Sequence, residues 1–117
     1  GFNLYADVNG KRSEHSVEVK KKLQGPPAGI LAPLDLAINN SGPKLYVLEE
    51  GKIIVFNKNI NENSKPIQIF NDMNQLPEGL ETIDYNKDFN QITVKDSHQI
   101  IYKYLLDENG LIKKRDD

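Results

Sequence analysis

Three observations on this 117-residue chain predict a mainly β fold, a β-rich α+β fold at most. First, Lys44–Phe56 reads KLYVLEEGKIIVF. Two apolar, β-branched runs flank Glu49-Glu50-Gly51-Lys52, and the glycine can supply the positive φ of a short hairpin turn. Second, the pattern returns downstream as QITVKDSHQIIYKY, Gln91–Tyr104. Third, aligning Val47 with Val94 gives a period of about 47, which pairs Leu45 with Ile92, Ile53 with Ile100 and Ile54 with Ile101. The expected architecture is two tandem β-hairpin or meander units, an N-terminal hairpin, and one or two short helices at most.

In chain order, Leu4–Val8 reads as a strand, and Asn9-Gly10 is the strongest two-residue hairpin signal. His15–Val19 alternates like a strand. Ser13 as a cap, three lysines at 20–22 and the Gly25-Pro26 stop also fit a helix, so residues 13–24 stay open between the two. Strand is preferred, because Val17 and Val19 are β-branched and no 3.6-residue apolar stripe accompanies them. Residues 32–39 are open in the same way: Leu34, Leu36 and Ile38 alternate, while Leu34, Ala37 and Ile38 keep helical spacing.

Asn40-Ser41-Gly42-Pro43 makes a turn into the central hairpin. Residues 57–65 form a polar loop, and Pro66–Phe70 is a short alternating strand. Asn71–Gln75 suits one helical turn closed by Pro77. Thr82–Tyr85, Gln91–Val94 and Ile100–Tyr104 read as three more strands, and Asp107–Gly110 as a turn. Pro27-Ala28-Gly29-Ile30 matches Pro77-Glu78-Gly79-Leu80 at an offset of 50, so each unit has a Pro-x-Gly-apolar entry. The organisation is one domain over residues 1–117, with pseudo-repeats at 27–70 and 77–112 and a frayed tail at 113–117.

Composition bounds the chemistry. A formal charge of −2 supplies no electrostatic reason to expect nucleic acid as a partner. The chain has no cysteine, which removes disulfides, thiolate catalysis and cysteine-held zinc. That suits a reducing compartment, so a cytoplasmic location is favoured, with secretion left open. The chain opens at Gly1 rather than Met and reads as a processed or excised piece, any targeting signal lying outside it. Thirteen asparagines provide many turn-forming positions, because the side chain bonds its own backbone and tolerates the left-handed conformation.

The Pro-x-Gly-apolar entry, the Lys44–Val47 run and the Ile100–Tyr104 strand before Asp107–Gly110 resemble blades of six-bladed propellers of the gluconolactonase and NHL type. Such a resemblance implies a sugar-acid lactonase or NHL-like propeller, with this chain as a fragment. By size, Asn/Lys-rich composition and tandem β-units, the chain also resembles the C-terminal domain of apicomplexan immune mapped protein 1. That resemblance implies a non-enzymatic antigen at the inner face of the plasma membrane, held there by an acylated segment outside this sequence.

The residues themselves offer few reactive groups. His15 and His98 lie in polar surroundings where solvated histidine is the default, and no HxxxH or HExxH spacing occurs. Ser97 and His98 are neighbours beside Asp96, but adjacent strand residues point to opposite faces. Asn57, Asn59, Asn61, Glu62 and Asn63 have the alternation of an oxygen-ligand loop with little charge for a divalent cation. Neither cofactor nor metal is expected, and no catalytic residue. Tyr46, Tyr102 and Tyr104 are the candidate outward-facing anchors of an interaction surface, since tyrosine joins a large area to a polar tip. Lys20, Lys21 and Lys22 are the candidate contact for anionic lipid. The expected function is a non-catalytic, monomeric β-rich domain that presents a surface to a protein partner.

Overall fold

The computed structural model describes residues 32–59 and 64–117. They form eight strands: β1 (Asp35–Asn39), β2 (Lys44–Glu49), β3 (Lys52–Asn57), β4 (Gln68–Phe70), β5 (Leu80–Asn86), β6 (Gln91–Asp96), β7 (Ile101–Leu106) and β8 (Ile112–Arg115). Within each run of four, consecutive strands pair antiparallel. The first four make one sheet in the order β1-β2-β3-β4 and the last four a second sheet in the order β5-β6-β7-β8. The fold is mainly β, and no helix occurs among the described residues.

The two sheets stack face to face, with β1 and β5 in closest approach. Ala37, Tyr46, Leu48, Ile53, Val55 and Phe70 from the first sheet meet Ile83, Ile92, Val94, Tyr104, Leu106 and Ile112 from the second. Leu76, in the connection between the sheets, completes this core. Phe70 meets Tyr104 edge-to-face at a centroid distance of 5.7 Å, an arrangement that adds about 0.5–1.5 kcal/mol beyond area burial.

The sheets differ in their other faces, and the sequence pattern follows that difference. Leu36, Leu45, Val47, Ile54 and Phe56 lie on the opposite face of the first sheet and are also buried. With both faces covered, β2 and β3 read as near-continuous apolar runs, LYVL and IIVF. The second sheet leaves Thr82, Asp84, Ile101 and Lys103 exposed on its outer face, and its strands alternate accordingly.

Several expectations are resolved or corrected here. Residues 35–39 are strand, settling the open choice in favour of alternation. The helical turn expected at 71–75 is a single hydrogen-bonded turn that does not continue into a helix: the amides of Gln75 and Leu76 both donate to the carbonyl of Asp72. The frayed tail is replaced by β8, which Ile112 anchors in the core and the Asp116 amide extends by donating to Lys103 O at 2.8 Å. The hairpins predicted at 4–10 and the segment 13–24 lie outside the described residues.

The repeat also needs a shift of register. Leu48 pairs with Ile53, and Lys95 pairs with Ile101. Ile53 therefore corresponds to Ile101 and Ile54 to Tyr102, one residue later than the uniform offset of 47. The cause is the second hairpin's longer turn, in which Gln99 takes a φ of 69° as the left-handed residue of a three-residue loop. The equivalent isoleucines differ in burial because the first sheet is covered on both faces and the second on only one: Ile53 is buried whereas Ile101, on the outer face, is 58 % exposed.

Candidate binding cleft

Three turns converge at one end of the stack, and an asparagine or aspartate organises each. Asn39 closes the β1–β2 turn by accepting the Gly42 amide at 3.1 Å. Asn86 opens the β5–β6 turn by accepting the amides of Asp88 and Phe89 at 3.0 and 3.4 Å, and Asn90 ends it at a φ of 51°. Asp107 opens the β7–β8 turn, its Oδ1 accepting from the amides of Asn109 and Leu111 at 2.8 and 3.0 Å. These short side-chain bonds replace the ladder where strands reverse, which is the physical use of the asparagine-rich composition.

Between the turns lies a cleft of about 340 Å³. Its walls come from both sheets: Asn39, Ser41 and Gly42 on one side, Tyr85, Lys87 and Asn90 on the second, and Asp107, Glu108 and Gly110 on the third. The lining carries one ammonium, two carboxylates, two carboxamides, a hydroxyl and a phenol. Tyr85 stands on a fixed base. Its ring stacks on the buried Tyr46 at 6.4 Å and 14°, and its hydroxyl donates to Asn90 Oδ1 at 2.9 Å.

Tyr46 joins the walls beneath the cleft. Its hydroxyl donates to Gly110 O at 2.7 Å and accepts from Asn39 Nδ2 at 3.4 Å. Burial pushes this phenol up from 10.0 to about 12, so it stays protonated and donating across the physiological range. Such a recess, polar and of mixed charge on a rigid base, suits an occupant with both donors and acceptors.

The residues singled out in the sequence fall elsewhere. Tyr46 and Tyr104 do not face outward: each is fully buried in the core between the sheets, because both occupy the inward register positions. Tyr102 is half-buried and packs against the same core. The expectation of three outward tyrosine anchors is therefore corrected. Lys20, Lys21 and Lys22 lie outside the described residues, as do His15 and positions 60–63 of the asparagine run.

His98 is exposed in the β6–β7 turn. Asp96 beside it uses Oδ1 to accept the amides of His98 and Ile100 at 2.9 and 3.0 Å, a turn-closing role. Glu49, at the end of β2, pairs with Lys52 at 3.5 Å, while its Oε2 is buried without a hydrogen bond. Among the described residues no group of three or more His, Asp or Glu is placed to hold a metal ion. No helix among them is long and apolar enough to cross a membrane.

Two of the three turns were visible in the sequence, at Asn40–Pro43 and Asp107–Gly110. Their convergence was not, because it depends on how the sheets stack. Comparison with protein-family models, curated proteins and solved structures returns no match for this chain.

Proposed function

We propose that this chain is a non-catalytic β-rich binding module that presents the turn cleft to a protein partner. The observation that carries the reading is the cleft itself: both sheets build it, side-chain-closed turns fix its walls, and its lining combines Lys87 with Asp107 and Glu108. A polar loop of a partner offers the matching donors and acceptors. The cytoplasmic location favoured by the lack of cysteine belongs to the same reading. Antigenic and inner-membrane roles rest on the resemblance to immune mapped protein 1, through size, composition and tandem β-units.

A photoreactive residue placed at Glu108 in the cleft, against one at Lys113 on β8, tests this in extract of the source cells. A discrete protein adduct from position 108 alone, lost on adding Lys87→Glu, is the expected result. Equal labelling from both positions overturns the cleft as the binding surface. Turnover of a sugar-acid lactone by the purified chain, with or without added calcium, overturns the non-catalytic reading.

A second reading is a fragment of a lactonase-type or NHL-like propeller. It draws on the two successive four-stranded meanders, stacked with their first strands closest. Closed rings of several copies in solution are its expected signature, and a monomer at all concentrations speaks against it.

A further inference from the structure

We propose that the side chains of Gln68 and Gln75 stand in for a neighbouring strand on the outer edge of β8 and so keep this edge from pairing with a second copy of the chain. An edge strand presents unpaired N–H and C=O groups that invite another strand. Among the described residues β8 is such an edge. Three of its outward groups, the amide and carbonyl of Ile112 and the amide of Arg115, are nonetheless occupied.

Gln68 Nε2 donates to Ile112 O at 2.8 Å, and Gln68 Oε1 accepts the Ile112 amide at 2.8 Å. One carboxamide thus makes on Ile112 the two bonds that the opposite residue of an antiparallel strand would make. Further along, Gln75 Oε1 accepts the Arg115 amide at 2.7 Å. Gln75 is held for this by Asp72, whose Oδ2 accepts Gln75 Nε2 at 2.8 Å.

The other edge of the same sheet is treated alike. On β5, the Ile83 amide donates to Asp35 Oδ2 at 2.9 Å and the Tyr85 amide to Asp84 Oδ1 at 3.0 Å. Three of the four capping groups (Asp35, Gln68 and Gln75) come from outside the second sheet, so packing of the two sheets and protection of the edges are coupled. Lys113, Lys114 and Arg115 add like-charge repulsion to any pairing of β8 with β8.

The occupant that the caps exclude is therefore a second copy, through antiparallel β8–β8 addition. The inference is independent of what the cleft binds.

The first test is hydrogen exchange on the parent chain, where the amides of Ile112 and Arg115 are expected to exchange at least tenfold more slowly than an unprotected amide. Exchange at the unprotected rate overturns the proposal. The second is solution mass across a hundredfold concentration range. The parent is expected to stay at 13.3 kDa, and Q68A/Q75A to rise toward twice that value. A double variant that stays monomeric with a cooperative urea melt overturns the proposal.

Adding Arg115→Pro to the double variant removes an outward donor without breaking a ladder bond, so it restores the monomer. Association that persists in this triple variant locates the contact elsewhere and overturns the proposal. Should the double variant fail to fold, Gln68→Ala alone is measured in the same way with the same two outcomes, alongside the exchange data.

Discussion

The hydroxyl of Tyr46 donates to the carbonyl of Gly110 at 2.7 Å, joining positions 64 apart in the chain. Tyr46 lies in the middle of β2 and Gly110 in the turn between β7 and β8, so this bond ties one sheet to the other beneath the cleft. Gly110 adopts a φ of 81°, and a Cβ there would stand 3.2 Å from the Tyr46 hydroxyl and 3.0 Å from Lys44 Cγ. The bond, the glycine and the close approach form one unit.

Tyr46→Phe keeps the ring and its stacking on Tyr85 but leaves the buried Gly110 carbonyl without its donor. A loss of about 1–3 kcal/mol is expected, because an unsatisfied buried acceptor incurs its desolvation penalty. The midpoint of a urea melt measures it, with the slope unchanged.

Gly110→Ala adds steric contact to backbone strain, whereas Gly51→Ala adds strain alone. Gly51 has a φ of 78° with open space around the missing Cβ. The expected losses are about 1–2 kcal/mol at position 51 and about 1–3 kcal/mol more at position 110. Equal urea midpoints for the two variants would show that Lys44 and Tyr46 yield without cost.

Stability should fall between about pH 10 and pH 12. Burial raises the phenols of both Tyr46 and Tyr104 to about 12 from an ordinary 10.0. Each folded-state pKa lies above its unfolded value, so the stabilisation is fully present below pH 10 and is lost as pH rises through 12. Urea melts at about pH 9 and pH 11.5 check this, and Tyr46→Phe should flatten part of the decline. A midpoint independent of pH over that window would mean that neither phenol is protected.

Ile54→Ala should cost about 2–5 kcal/mol, since the side chain is 1 % exposed and its removal leaves a cavity. Ile101→Ala, at 58 % exposure, should change stability by about 0.5 kcal/mol or less. The isoleucines were aligned with each other by the uniform repeat. Equal costs in urea melts would support that alignment over the shifted register.

Much of the local structure was legible. Glu50-Gly51 marked a tight turn, and Gly51 takes the positive φ that the turn needs. The asparagine-rich turns follow from side-chain oxygens reaching amides two or three residues on, which is chemistry confined to a short stretch. The tyrosines were not legible. Tyr46 and Tyr102 each sit in an alternating or apolar run, and nothing in that run says which face another sheet will cover. The cleft and the glutamine caps were equally hidden, because Gln68 meets Ile112, and Asn39 comes to line one cleft with Tyr85 and Asp107, only after the sheets stack.

By itself the sequence determined the β class, the tandem units and the turns, because strand periodicity and turn chemistry act between residues a few positions apart. It also implied a difference between the units, in that LYVL and IIVF are apolar throughout whereas ITVK alternates. The tertiary structure alone decided which faces are buried, shifted the repeat by one residue at the longer β6–β7 turn, and brought three turns into one cleft. Burial depends on what lies across the sheet, and here that partner is distant in the chain, as Tyr85 is from Tyr46 and Tyr104 from Phe70.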